Sequence, residues 1–296
     1  MNEEAFTSSL KHLFPQTELV VEGPGDDCAV LRIPGSEEYL LAAADQVIEG
    51  IHFLKGEAPD AVAAKLVNRN ISDIAAMGGS PQYALLTIAA NPLDETLLTA
   101  FHQGIQRASG AFGMCVVGGD IAKLPSPGWV ATLTILGKIE PENLKLRRTA
   151  MPGDLLCGTG CFGRSFQTGH HLDFAPRLNE GRWLGTQKQV HAMMDVSDGL
   201  LKDSLRMAAD SGLALELDLD NIPRRDHASI EEALCDGEDY ELIFALAPDA
   251  YDTLVSENRT GTFITKLGKF QSGTPGALLT PLNLTRKGFD HFHENH

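Results

Sequence analysis

The stretch "PDAVAAKLVNRNISDIAAMG", Pro59 to Gly78, carries apolar residues at helical spacing. Pro59 stands where the first turn of a helix tolerates a missing amide, and Gly78 where a helix stops. Strands are expected on both sides, "YLLAAA" (39–44) before it and "QYALLTIAA" (82–90) after it. A second helix over 93–112 and strands over 114–119 and 129–139 follow. Strand and helix periods alternate through the first 140 residues, which predicts an α+β unit.

The segment "EPENLKLRRTAMPGD" (140–154) is polar, contains Pro141 and Pro152-Gly153, and reads as a linker. Beyond it come a strand in "LLCGTG", a helix from Thr186 to Met194, and a helix over 199–212 ended by Gly212. Then follow strand "ALELDL", helix "SIEEALC", strand "YELIFAL", helix "DAYDTLVSEN", strand "TFITKLG" and an irregular tail "TRKGFDHFHENH". Two α+β domains are expected, 1–140 and 150–296.

The chain has 296 residues, 43% of them hydrophobic, enough for one large or two ordinary cores. Its net charge is −16, so a basic face for nucleic acid is not expected. An acidic protein can still bind phosphates when cations stand between the two sets of anions. No stretch approaches a membrane span, and "MNEEAFTSSLKHLF" lacks the pattern of a signal peptide. Cys28, Cys115, Cys157, Cys161 and Cys235 are an odd set, mostly in apolar runs, and read as reduced thiols of a cytoplasmic protein.

The acidic residues are placed unusually. In "VEGPGDDCAVL" (21–31), Asp26 and Asp27 follow a glycine turn and precede an apolar run. "LLAAAD" ends in Asp45, "CVVGGD" in Asp120, and "HAMMDVSD" supplies Asp195 and Asp198. Asp73 interrupts the helix quoted first. One such Asp is most simply a cap or turn residue. Recurrence at the edges of five apolar elements points instead to carboxylates that share divalent cations, which offset the cost of burying them. An oxygen-only set without grouped Cys or His suits Mg²⁺ rather than zinc. "GTGCFG" (158–163) matches a dinucleotide fingerprint. However, "RSFQTGHHLDF" after it has a poor helical pattern, Asp173 is too near to be the ribose-binding acid, and Glu180 sits in a polar, loop-like stretch. A tight turn is the better reading. No P-loop motif occurs.

"GPGDDCAV", "ADQVIEGIHF", "NISDIAAMGGSP", "VVGGD", "DVSDGL", "DGEDYEL" and "KGFDHF" occur in the order found in the thiamine-monophosphate kinase family. That family belongs to the aminoimidazole-ribonucleotide-synthetase-like superfamily, and the resemblance runs from Gly23 to Phe292. It implies a two-domain α+β fold, with an N-terminal sheet used for dimerisation and a C-terminal α/β sandwich. It also implies phosphorylation of thiamine monophosphate to thiamine diphosphate by ATP, several Mg²⁺ ions and a homodimer. By the family pattern Asp27, Asp45, Asp73, Asp120, Asp195 and Asp198 look like Mg²⁺ ligands. Gly119, Asp120, Arg147, Ser197 and His102 match nucleotide positions, and His52, Glu238 and Phe289 match positions that face the thiamine substrate. The acceptor would be a phosphate oxygen, already anionic, so no general base is expected.

The chain departs from the family at several points. Ala43-Ala44 replaces the usual Ser-Thr before Asp45, "GGDIA" the usual "GGDTT", Arg147-Arg148-Thr149 the usual Arg-Ser-Gly, and His102 a frequent Tyr. Two alternatives stay open: another enzyme of the superfamily acting on a different small phosphorylated substrate, and a silent nucleotide or metal binder.

Overall fold

The computed structural model describes Leu13, residues 17–286 and Gly288. The stretch "MNEEAFTSSLKHLF", apart from Leu13, and Phe289 fall outside the described residues, as do Lys287 and the end of the tail.

The N-terminal half is a six-stranded sheet: β1 (Val20–Glu22), β2 (Ala29–Arg32), β3 (Tyr39–Ile48), β4 (Ser80–Asn91), β5 (Cys115–Lys123) and β6 (Gly128–Ile139). Its order is β1-β2-β3-β6-β4-β5, antiparallel except for the parallel pair β4–β5. β6 lies at the centre and alternates strictly between buried and half-buried residues. Helices α1 (Pro59–Ala76) and α2 (Glu95–Ala111) cover its buried face. Pro59 starts α1, and Gly78 (φ +81°) takes the chain out of it. The Asp94 carboxylate caps α2 by accepting from the amides of Thr96 (2.7 Å) and Leu97 (3.0 Å). Phe53, Phe101 and Trp129 meet between helices and sheet, with centroids 4.6 and 5.3 Å apart.

The second half holds a five-stranded antiparallel sheet: β7 (Leu155–Thr159), β8 (Val190–Asp195), β9 (Ala214–Leu217), β10 (Leu242–Leu246) and β11 (Ile264–Gln271), in the order β8-β10-β7-β11-β9. Both of its faces are covered. Residues of α5 (Leu200–Asp210) and α6 (Ile230–Cys235) join the core on one face. Residues of α4 (Leu178–Thr186) and α7 (Tyr251–Glu257) join the core on the other. The short helix α3 (His170–Asp173) lies between β7 and α4.

Three expectations need correction. The helix expected from Thr186 to Met194 is instead α4, ending at Thr186, followed by strand β8. A strand buried on both faces loses its alternation and resembles a buried helix in sequence. Glu180, read as part of a loop, lies on α4 and is buried. The supposed polar linker 140–154 is also no solvated tether. It forms two short 3-10 turns, and Lys145, Arg147 and Asp154 within it are buried.

The two halves meet along α1. Gly181 of α4 sits so close to Ala75 that an added Cβ would come within 2.2 Å of the Ala75 carbonyl oxygen. The Ser72 hydroxyl donates to Asp195 at the end of β8, at 2.6 Å. Gly181→Ala therefore forces two backbones apart, and overpacking of this kind costs about 1–3 kcal/mol. Thermal unfolding should show a melting temperature several degrees below the parent. An unchanged value would mean that α1 and α4 separate without cost.

Candidate functional site

The junction of the two halves gathers the acidic residues. Asp27 ends the glycine turn ahead of β2, Asp73 projects from the last turns of α1, and Asp195 closes β8. One carboxylate oxygen from each lies within 4.8 Å of the others. Burial, followed by repulsion from neighbouring carboxylates, pushes Asp73 and Asp195 well above the usual carboxylate range. Asp27 is also raised, burial first, with Arg147 opposing. Asp27 Oδ2 is buried and has no hydrogen-bond partner among the described residues. Three converging oxygens with high proton affinity and one open lone-pair position fit a hard divalent cation. The thiol of Cys28, next to Asp27, is pushed well up by burial and then by Asp73, so it stays protonated and unsuited to a soft metal.

Cations flank the trio. Arg147 Nη2 donates to Asp27 Oδ1 at 2.5 Å, and Arg69 Nε to Asp45 Oδ2 at 2.7 Å. Asp45 lies beside the trio and raises both Asp73 and Asp195. Asp26 has a different task. Its carboxylate accepts from the amides of Asp27 and Arg147, each at 2.9 Å. It ties the glycine turn to the segment that carries Arg147. Burial, then the charge of Asp27, lifts Asp26 to about 7.

The loop between β8 and α5 forms the next layer. Asp203 of α5 accepts from the amides of Ser197 (3.1 Å) and Asp198 (2.9 Å), holding that turn. Asp198 pairs with Lys202 at 2.8 Å and Arg206 at 3.4 Å. The Ser197 carbonyl accepts from the Glu238 amide at 2.7 Å. Glu238 in turn pairs with Lys65 of α1 at 2.6 Å, and Lys65 also donates to the His52 carbonyl at 2.5 Å. The Ile48 amide donates to His52 Nδ1 at 3.1 Å, so Nε2 carries the proton of the neutral ring.

The structure thus brings together Asp27, Asp45, Asp73, Asp195 and Arg147. Ser197, Asp198, Glu238 and His52 form the next layer, tied to one another through Asp203, the Ser197 carbonyl and Lys65. Gly119 and Asp120 lie elsewhere, on the outermost strand β5. The row Asp45–Leu133–Leu86–Gly119 crosses three strand spacings, roughly 14 Å. Asp120 is exposed and registers with Thr87. His102 is exposed on α2, where its Nδ1 donates to the Leu98 carbonyl at 2.7 Å. Phe289 lies outside the described residues; Gly288 before it packs against Asp198 and Lys202. Ala43 shares the face of Asp45 on β3, while Ala44 points to the opposite, exposed face. "GTGCFG" is a tight turn: Gly163 (φ +86°) lets the backbone approach Ala233 where a Cβ would meet its amide nitrogen at 2.7 Å.

Sequence reading missed Lys65, Arg69, Asp203 and Arg206. For the first two a signal was present. Lys65, Arg69 and Asp73 are charges spaced by four in an otherwise apolar helix, and so lie on one face.

Known proteins share this architecture. Residues 25–139 match the N-terminal domain of AIR synthase related proteins, and residues 149–274 match the C-terminal domain. A thiamine-monophosphate kinase of Rhodopirellula baltica is 34% identical over 90% of this chain and 89% of its own. The thiamine-monophosphate kinase of Escherichia coli K12 is 30% identical, with 91% of each chain covered. A solved structure described as AaThiL complexed with AMPPCP and TMP superposes with a TM-score of 0.80 at 26% identity, covering 98% of this chain and 97% of that one. The thiamine-monophosphate kinase of Stenotrophomonas maltophilia superposes with a TM-score of 0.75 at 27% identity, covering 94% and 96%. With this identity across nearly the full length of its relatives, and both domains matched, the chain belongs to the thiamine-monophosphate kinase family.

Proposed function

We propose that this chain transfers the γ-phosphoryl group of ATP directly to the phosphate of thiamine monophosphate, forming thiamine diphosphate. The observation that carries the reading is the carboxylate trio at one end of α1, with Glu238 and His52 reached from the same helix through Lys65. A phosphoryl acceptor needs both ends: a charged end where phosphates meet, and a polar end that grips the organic part of the molecule.

Mg²⁺ ions held by Asp27, Asp73 and Asp195, with Asp45 and Asp198 as further ligands, would supply the positive charge that lets two phosphate groups approach; Asp120, three strands away, would hold a separate ion. The remaining work falls to the chain itself. Arg147, anchored through its amide by Asp26, presents a guanidinium beside the phosphates. Ser197, Gly119, Asp120 and His102 are assigned to the nucleotide. Glu238, His52 and Phe289 are assigned to the thiamine moiety. The attacking oxygen is already anionic, so no side chain removes a proton and no phosphoenzyme forms.

We further infer a homodimer. Tyr83 and Leu85 of β4 and Val116, Val117 and Ile121 of β5 are exposed. They give the outer part of the N-terminal sheet an apolar surface suited to a second copy. Val117→Asp with Ile121→Asp should convert the dimer to monomer in sedimentation. A parent protein that already sediments as monomer would remove the idea.

The activity test combines ATP, Mg²⁺ and thiamine monophosphate with direct measurement of thiamine diphosphate; free thiamine serves as a competing acceptor. Product from free thiamine alone would name another acceptor, and nucleotide binding without turnover would name a silent binder. Asp73→Asn should lower kcat by about 100-fold or more, since it removes a full charge from the cluster. It should leave the metal-free protein as stable as the parent or more so, because like charges no longer crowd a buried space. Wild-type turnover in that variant would remove Asp73 from the site.

The cluster also sets a pH signature. Its folded carboxyls hold protons that the unfolded chain releases near pH 4, so without metal their contribution to stability is lost as pH rises through their raised folded values. For Asp26 that window runs from the ordinary 3.8 to about 7. Cations and protons compete for the same oxygens. The rise in melting temperature on adding Mg²⁺ should therefore be small near pH 5 and grow toward about pH 8. A gain independent of pH would mean that Mg²⁺ binds elsewhere.

A further inference from the structure

We infer that Lys65 is a positioning residue for the acceptor: its ammonium orients the Glu238 carboxylate and the His52 segment to receive the aminopyrimidine end of thiamine monophosphate. This depends on the assignment of Glu238 and His52 to the acceptor made above.

Lys65 is fully buried within α1, on the face it shares with Arg69 and Asp73. Two of its contacts come from distant parts of the chain. The His52 carbonyl, at 2.5 Å, belongs to the loop between β3 and α1. Glu238 Oε1, at 2.6 Å, belongs to the loop ahead of β10 in the second half. An apolar side chain of the same length would fill the space without the cost of burying an ammonium. What the ammonium adds is a grip on these two loops.

Glu238 needs that grip. Its backbone has φ +63°, a conformation uncommon outside glycine, and its amide is tied to the Ser197 carbonyl. Its side chain remains 26% exposed, so the carboxylate bound to Lys65 through Oε1 still reaches the site. His52 is held from the other side by the Ile48 amide, which donates to its Nδ1. A carboxylate that is held by Lys65 and still partly exposed accepts from an exocyclic amino group such as an aminopyrimidine carries. Charge at the pyrimidine end and charge at the phosphate end are then set by one rigid element. Lys65 and Asp73 lie eight residues apart on the same face of α1, about 12 Å along its axis.

The test uses the full chain with Mg²⁺ and ATP and three variants: Lys65→Met, Glu238→Gln, and the two combined. Lys65→Met should raise KM for thiamine monophosphate by roughly 10-fold or more, with KM for ATP changed less than about twofold. Glu238→Gln should do the same. The double variant should be no worse than Glu238→Gln alone, because Lys65 acts through Glu238. Calorimetric binding of thiamine monophosphate should follow the same order. A folded Lys65→Met protein with unchanged acceptor KM, equal effects on both substrates, or effects that multiply in the double variant would each overturn the inference. If Lys65→Met does not fold, the double variant, in which no buried charge is left unpaired, is compared with Glu238→Gln: equal acceptor KM supports the inference and a further increase overturns it. Loss of folding in both Lys65 variants assigns Lys65 to the fold and also overturns it. If Glu238→Gln itself leaves acceptor KM unchanged, the assignment of Glu238 to the acceptor has failed, and the inference falls with it.

Discussion

Mutual repulsion among Asp27, Asp73 and Asp195 is the constraint around which the junction of the two halves is built. Three carboxylates from a loop, a helix and a strand end converge where burial already disfavours charge. Left alone they would drive the halves apart. The chain answers with neighbours that hold each group in place without neutralising the trio. Arg147 takes one oxygen of Asp27, the Ser72 hydroxyl takes one of Asp195, and Arg69 restrains Asp45 nearby. The unsatisfied Asp27 Oδ2 shows that the offset is incomplete. A site with residual negative charge and aligned oxygens is prepared for cations, and through them for phosphates.

Helix α1 makes this convergence possible. Its apolar face packs on the N-terminal sheet, and its C-terminal end is pressed by Gly181 of α4. Between these contacts it carries Lys65, Arg69, Ser72 and Asp73 toward the second half. The backbone contact at Gly181 admits no side chain, so the approach of α4 to α1 leaves little slack. The distance between Asp73 and Asp195 is set by this backbone contact at Ala75, two residues along α1, and by the Ser72–Asp195 hydrogen bond. Catalysis that relies on positioning and charge benefits from such a rigid frame.

Paired aspartates at the mouth of a core strand now have separate explanations. Asp27 points into the cluster. Asp26 accepts two amide hydrogen bonds and anchors the backbone at Arg147. The same division recurs after β8, where Asp195 faces the trio and Asp203 holds the turn of Ser197 and Asp198 by accepting both amides. In each case a carboxylate that faces the cluster is supported by one that shapes backbone.

Local order along the chain was legible in the sequence wherever one face of an element meets solvent or a single partner layer. Helix α1, with Pro59 and Gly78 at its ends, and the strands of the first sheet show their periods plainly. The acidic motifs, too, stand out, because charge at the edge of apolar runs is costly wherever the chain folds. Where both faces are covered the period vanishes, so β8 read as a helix; the helical stretch containing Glu180 read as a loop because its buried side is made of Glu180, Gly181 and Gly185 as much as of leucines. The segment around Arg147 read as a tether because polar residues buried by specific partners look like solvated ones in sequence. Lys65 illustrates the same limit: its spacing from Arg69 and Asp73 is local, but its partners at positions 52 and 238 are not. The sequence by itself determined the elements, the acidic residue types and the family motifs, since these depend on short-range pattern. Only the tertiary structure decided which carboxylates meet, which are supports, and which, like Asp120, lie three strands away, because those relations arise from packing between segments far apart in the chain.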